Sequence, residues 1–368
     1  MFGKTASVLA AAVFLSSTAV PASAVTLKVF EWEGYVLPLA EDFAAYAKSQ
    51  GMDVKLEGLT DASGKPRFIL TADDLYQTTR RGEADIVTPT HNYFKDSQGK
   101  LMKLLAPVDL AQVPNFKEIV PSLQKATYAE DNGKLLAVPL LAGGYLLAYN
   151  ADRVKTPPTS WKVLADPAFK GRTSITGTQF EANIFAAGIL AGVSPEKVYR
   201  FDTIEMDKTE PLLKAMLANK PVFWDYVPDV ERMGKDIDII TDYGFSVFAA
   251  NAAGQNWKFA ETTEPSTIWI DNVSITAKAA EDPEKLKAAH LLLNYLLSAE
   301  TQGKIALTFG TFIPNPKAAE TVAAAERSKV RVPSADYFKP ELLWQPLDDR
   351  TRNGFKQIWE RSLKAAAE

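Results

Sequence analysis

The sequence predicts an α/β protein built as two lobes joined by short extended crossings. Three observations lead there. Strand-like and helix-like segments alternate from residue 26 onward, as in an open sheet with helices on its faces. The 368 residues suffice for one large or two medium domains. No internal repeat or long low-complexity linker separates the halves, so the lobes are expected to share the chain.

The first 24 residues stand apart from this pattern. Lys4 supplies a short positive start, Ala6 to Val20 is mostly apolar or small, and Ala22-Ser23-Ala24 after Pro21 is an A-x-A cleavage site. This reads as a secretory signal peptide, and the apolar run, broken by Ser16, Ser17 and Thr18, is too short to span a bilayer. Cleavage after Ala24 leaves a mature chain of residues 25–368, expected in the periplasm. The chain has no cysteine to carry a lipid, so the mature protein is expected to be free rather than anchored.

The elements follow in order. Thr26–Trp32 alternates and is rich in β-formers, hence a strand. Leu39–Gln50 repeats apolar residues at helical spacing and stops at Gly51. Asp53–Glu57 is a strand, Ala72–Arg81 a helix ended by Gly82, and Ala84–Thr88 a strand stopped by Pro89. Lys134–Val138 and Tyr145–Tyr149 are strand-like, with a bend expected between them where Pro139, Gly143 and Gly144 fall. Thr173–Thr176 is a strand and Glu181–Ala191 an apolar helix; Pro211–Ala218 is a helix and Pro221–Trp224 a strand. Asp236–Thr241 and Thr267–Asp271 are strands, the latter extended by Val273–Thr276. Helices cover Glu284–Leu297 and Ala299–Leu307, and the tail Pro340–Ala367 is mainly helical.

Composition narrows the chemistry. Hydrophobic residues make up 46% and charged residues 23%, values of a packed globular protein. A formal charge of −4 offers no basic surface for nucleic acid. The absence of cysteine excludes disulfides, thiol catalysis and iron–sulfur clusters, and only His91 and His290 remain as imidazoles. No phosphate-binding glycine loop, nucleophile elbow or H-E-x-x-H motif occurs, so no cofactor, metal or catalytic residue is assigned.

Ligands of open α/β sheets lie outside the carboxyl ends of the strands, so residues just past the strands are the candidates. Trp32-Glu33-Gly34-Tyr35 places two rings and a carboxylate on one turn. Ring faces attract an ammonium and pack its methylenes. An isolated W-x-x-Y is also what a turn folded back on the core looks like. In Ile268-Trp269-Ile270-Asp271, alternation sends Trp269 and Asp271 to one face, offering stacking and a counter-charge to one ligand group. The bland alternative is a Trp covering the sheet and an Asp capping a turn. Glu181 opens a helix after a strand, and Thr178 stands at capping-box spacing before it. Tyr243-Gly244-Phe245-Ser246 and Phe223-Trp224-Asp225-Tyr226 likewise put aromatics at strand ends.

Taken together the landmarks resemble a family. They are VFEWEGYVLP at 29–38, GEADIVTPT at 82–90, the VP…GG…YN pattern at 138–150, SWKVLADPAFKGR at 160–172, TIWIDNVSI at 267–275, LLLNYLLSAETQGKIA at 291–306 and IPN at 313–315. In this order and spacing they are similar to the spermidine/putrescine-binding proteins, the periplasmic substrate-binding components of polyamine ABC transporters. The resemblance implies a two-lobe periplasmic-binding-protein fold of type II-like organisation, with a ligand cleft between lobes and hinge crossings. Lobe 1 is expected at 25–141 plus 272–314, and lobe 2 at 142–271 plus 315–368. It also implies a polyamine ligand, an inner-membrane ABC permease as partner, a monomer, and no enzymatic step.

Carried over position by position, the resemblance makes Trp32 and Tyr35 an aromatic pair, Glu33 a polar contact and Thr90 a hydroxyl contact. Glu181 and Asp271 hold amines, Trp269 packs on the chain, and Gln345 is a C-terminal polar contact. Asn92, Tyr243, Ser246 and Asp225 complete the twelve candidates. The departures are Asn92 where the family has an aromatic, Thr178 where an acid is common, Tyr243 in place of Trp and Thr311 in place of Tyr. Asp61–Leu70 also looks inserted. These departures favour a diamine such as putrescine over a longer triamine. They leave open a γ-amino acid or opine, with Arg67, Arg80 or His91 as carboxylate partners. A secreted hydrolase using an Asp/Glu pair is the remaining alternative.

Overall fold

The computed structural model describes residues 24–95, 99–125, 127–334 and 337–367. The expected signal peptide lies, but for Ala24, outside the described residues. No helix of the described residues is long and apolar enough to cross a membrane.

The strands are β1 (Val25–Phe30), β2 (Val54–Gly58), β3 (Ile86–Val87), β4 (Glu130–Asp131), β5 (Lys134–Leu135), β6 (Val138–Gly144), β7 (Leu146–Asn150), β8 (Thr173–Thr176), β9 (Val222–Trp224), β10 (Ile239–Asp242), β11 (Trp257–Phe259) and β12 (Ile268–Ile275). The first sheet runs β2-β1-β3-β12-β6 and the second β11-β7-β10-β8-β9, while β4 and β5 form a small hairpin. In the first sheet β1 is parallel to β2 and β3, and β12 runs antiparallel to both β3 and β6. Such a pair of mixed sheets is the expected two-lobe α/β arrangement.

The helices used below are α1 (Ala40–Ser49), α2 (Ala72–Arg80), α3 (Pro121–Gln124), α4 (Glu181–Leu190), α5 (Met206–Ala218), α6 (Val230–Lys235), α7 (Phe245–Ala252), α8 (Pro283–Leu296), α9 (Ala299–Phe309), α10 (Ala318–Thr321) and α11 (Asp349–Ala367). Leu27, Val29, Phe43, Leu292 and Leu293 bury the contact of α1 and α8 with the first sheet. In the second lobe α4, α5 and α11 pack together around Ile184, Leu213, Phe355 and Ile358.

The β-α-β-α-β start matches expectation to within a few residues. The bend expected around Pro139 is instead strand β6, buried along its length. β6 is an edge strand, where the missing proline N–H costs no ladder bond. Gly143 is there because of what lies across from it: a Cβ would overlap Trp269 Cζ2 and stand 3.0 Å from Tyr243 O. Helix α5 begins five residues earlier than the sequence suggests and carries Pro211 inside it. Helix α7, which the sequence does not announce, starts after Gly244 at φ 108°, a conformation that favours glycine.

Three passages join the sheets, and they lie side by side. Only Tyr145 separates β6 from β7. Residues 260–267 lead from β11 to β12. The third runs at Leu342–Trp344, where Ile268 N–H donates to Leu342 O at 2.8 Å and Trp344 N–H to Ile268 O at 3.0 Å. Tyr145 N–H donates to Thr267 O at 2.8 Å, and Trp344 Nε1–H to Thr267 Oγ1 at 2.8 Å. The Tyr145 hydroxyl is fixed in the second lobe by Asn183 and Thr241, at 2.6 and 2.7 Å.

Candidate functional site

The turn after β1 is shaped from beneath by Glu31. Its buried carboxylate accepts the N–H groups of Val36 at 2.5 Å and Leu37 at 3.1 Å. Burial raises its pKa to about 7, against the lowering effect of those bonds. This brace turns Trp32 and Tyr35 towards the space between the lobes. On β12, Trp269 faces Gly143 and Asp271 faces Leu141, and the register shifts just after Asp271. Thr90, following β3, bridges Asp271 from the other side. From the second lobe, the Asp242 carboxylate accepts the N–H groups of Ser246 (3.3 Å) and Val247 (2.9 Å), starting α7 so that Phe245 and Ser246 reach the cleft. Burial raises the pKa of Asp242 to about 6.

These residues enclose a cavity of about 400 Å³ lined from both lobes, including Trp32, Glu33, Tyr35, Thr90, Tyr243, Ser246, Trp269 and Asp271. Phe245 lies 5.6 Å from Trp269 and 6.4 Å from Tyr35, centroid to centroid. Tyr243 stands perpendicular to Trp269 at 6.3 Å. The lobes meet across the mouth: Glu33 N–H donates to the Tyr226 hydroxyl at 2.5 Å, and Trp32 and Tyr226 rings are 6.2 Å apart.

Asp271 is the centre of this cavity electrostatically. It is 5% exposed. The Thr90 hydroxyl donates to its Oδ1 at 2.6 Å and the Tyr35 hydroxyl to its Oδ2 at 2.7 Å. Both donors are neutral, and among the described residues no Lys, Arg or His forms an ion pair with it. Burial lifts its pKa to about 7, with the two hydroxyls pulling the other way. A buried carboxylate held by hydroxyls without a counter-cation is an acceptor for a cation. Trp32 Nε1, Trp269 Nε1, the Tyr243 hydroxyl and Ser246 Oγ are also buried without partners among the described residues, so polar capacity remains around the rings.

The structure thus brings eight of the twelve sequence candidates into one cavity. Asn92 and Glu181 line a second cavity of about 590 Å³, which shares Gln179 and Trp344 with the first. Thr178 does not cap α4; its hydroxyl donates to Asp225 O, leaving Glu181 facing the second cavity. Asp225 lines neither cavity. Gln345 faces a separate surface hollow and donates its amide to Leu343 O at 3.0 Å. Arg67 is engaged by Asp74 and Glu83, at 2.7 and 2.8 Å, and Arg80 by Gln77. His91 Nδ1 accepts the Ile270 N–H at 3.1 Å, and burial lowers its pKa to about 4. None of these three lines either cavity.

Sequence reasoning misses Tyr226, Phe245, Phe309 and Trp344 as wall residues. Tyr226 and Phe245 sit in the aromatic strand-end runs, so the signal is present but falls on their neighbours. Phe309 ends α9 and Trp344 sits on the third passage, and nothing local marks either. Among the described residues no group of three His, Cys, Asp or Glu is arranged to hold a metal ion.

Comparison with known proteins agrees with this architecture. The chain is 25% identical over 317 residues to the spermidine/putrescine-binding periplasmic protein of Escherichia coli (strain K12), covering 85% of each. It is 22% identical to the putrescine-binding periplasmic protein SpuD of Pseudomonas aeruginosa, covering 98% of each. Among solved structures, the spermidine/putrescine ABC transporter substrate-binding protein PotD of Streptococcus pneumoniae superposes with a TM-score of 0.72 at 18% identity, over 93% of this chain and 100% of that one. The pattern of the bacterial extracellular solute-binding proteins matches residues 41–331, most of the length that builds both sheets and the cleft between them, and the chain belongs to that family.

Proposed function

We propose that this protein is the solute-capturing component of an ABC transporter. Exported by its N-terminal leader, it encloses a small cationic amine of the polyamine class, putrescine first among them, and delivers it to a permease in the inner membrane. The relatives named for spermidine and putrescine support this reading. The observation that carries it is Asp271, a buried carboxylate with only neutral donors at the floor of an aromatic cavity.

An ammonium entering the cavity donates to Asp271, and its methylenes pack on Trp32, Trp269 and Phe245. Tyr226 and Phe245 come from the second lobe, so the ligand is gripped fully only when the lobes meet. Closure is favoured by the difference in ligand affinity between open and closed states. Glu181 and Asp271 face different cavities, which does not suit a hydrolytic carboxylate pair flanking one bond; the chain acts as a monomeric binder without a covalent step. Calorimetric titration with putrescine, spermidine and γ-aminobutyrate tests the reading. Saturable one-to-one binding of an amine is expected; heat from none of them refutes it.

A further inference from the structure

The second cavity is lined by three acids, Asp73, Glu181 and Asp349, and by two bases, Lys100 and Arg352. Glu181 opens α4 on one wall, and Arg352, in the first turn of α11, stands on another. Among the described residues, Glu181 forms no ion pair within 4 Å, and the carboxylate bonded to Arg352 is Asp349, at 3.1 Å in a largely exposed pair. Such a surface pair is worth little, so Arg352 is readily recruited elsewhere. The two groups nevertheless sense each other: burial raises the Glu181 pKa and Arg352 acts to lower it. Tyr93, on the same wall, feels Asp271, Glu181 and Arg352 together, which places it within electrostatic reach of both cavities. Asn92 Oδ1 is buried there without a partner among the described residues.

A simple diamine has no use for an arginine at its second end. Two ammonium groups need two acids, and a guanidinium beside the second one repels it. An α-amino acid head needs one acid and one base on the same chamber, and the planar fork of Arg matches a carboxylate. The start of α11 adds the positive end of a helix dipole to the same wall.

We propose that the second cavity is a head-group subsite for an amino-acid zwitterion, with Glu181 taking the ammonium and Arg352 the carboxylate, while the far ammonium of the same ligand lies on Asp271. The ligand class is then a diamino carboxylic acid of the ornithine or lysine type, its chain running past Gln179 and Trp344. This rests on the amine reading above, puts a diamino acid in place of putrescine as the preferred ligand, and makes Arg352 the residue that separates a diamino acid from the diamine formed by removing its carboxyl group.

The test uses matched pairs: ornithine against putrescine and lysine against cadaverine, titrated calorimetrically into the mature protein and its variants. The wild type is expected to bind the diamino acid about tenfold or more tighter than the matching diamine, the scale of one charge-assisted contact. Arg352→Gln is expected to bring the pair within about threefold, and Arg352→Lys to restore part of the preference by keeping the charge without the fork. Equal or stronger binding of the diamine by the wild type, or a preference untouched in Arg352→Gln, overturns the inference while leaving the amine reading standing. No binding of any of the four ligands overturns both.

Discussion

Replacing Asp271 by Asn keeps the shape of the side chain and removes its charge. The structure gives the scale. Keeping the carboxylate ionised in the empty cleft is costly: the rise from 3.8 to about 7 corresponds to about 4 kcal/mol. An ammonium at the site relieves that cost and gains a charged hydrogen bond worth about 1.5–3 kcal/mol. Asn offers one acceptor oxygen, so one of the Tyr35 and Thr90 hydroxyls must reverse its role and accept from the new amide group. Losing that charged hydrogen bond predicts a loss of up to about 3 kcal/mol in binding, or roughly 150-fold in Kd.

The pH dependence follows with a definite sign. In the empty protein the folded carboxyl binds its proton more tightly than the unfolded chain does. The empty protein therefore gains stability from this group as pH falls from about 7 towards 4. The ligand needs the ionised form, so its affinity runs the other way. It should fall about tenfold per pH unit below about 7, and binding at pH 7 should release about half a proton. Titration of putrescine at pH 8, 7 and 6, in two buffers of different ionisation enthalpy, measures affinity and protons together. An Asn variant within about threefold of the parent at pH 8, or an affinity flat from pH 8 to 6, refutes the role given to Asp271.

Three further outcomes are expected. Tyr226→Phe removes the hydroxyl that receives Glu33 N–H and should speed ligand dissociation about threefold to tenfold, read by stopped-flow fluorescence; an unchanged rate removes Tyr226 from the closure. Gly143→Ala places a Cβ in overlap with Trp269 Cζ2 and 3.0 Å from Tyr243 O, so it should cost about 1–3 kcal/mol of stability and shift the tryptophan emission. A melting temperature equal to the parent's contradicts the packing described for Trp269. His91 is held neutral, with a pKa of about 4 against an ordinary 6.5, so it subtracts stability as pH falls from 6.5 to 4, by up to about 3 kcal/mol. His91→Gln should lessen that loss in urea unfolding at pH 7 and 4.5, and a variant whose acid dependence matches the parent's counts against it.

The sequence announces the site wherever one strand carries it. Trp32, Tyr35, Thr90, Trp269 and Asp271 all follow or lie on strands, and period-two alternation alone is enough to put Trp269 and Asp271 on one face. The rest depends on distant segments. Phe309 and Trp344 reach the cavity only because α9 and the third passage fold back over it. Asp225 and Tyr226 are adjacent, and composition favours the acid, yet the turn after β9 points the ring into the cleft. β6 is hidden in the sequence by Pro139 and Gly143. The first is tolerated at an edge and the second is required by an indole from another strand, and neither cause is local. Glu181 stands both in the first turn of α4 and on the wall of the second cavity, and Thr178, whose hydroxyl bonds elsewhere, does not complete a capping box with it.

The three adjoining passages at Tyr145, Thr267 and Leu342–Trp344 form a narrow fulcrum. When one lobe turns about such an axis, a group moves in proportion to its lever arm. Asp271, a few residues along β12 from Thr267, travels little, whereas Tyr226 at the mouth travels far. Under the proposed function the near acid is then on offer to an ammonium in the open cleft as well as the closed one. That reading makes capture sequential: one charged end moors first near the pivot, and the swing of the outer walls then inspects the remainder of the molecule.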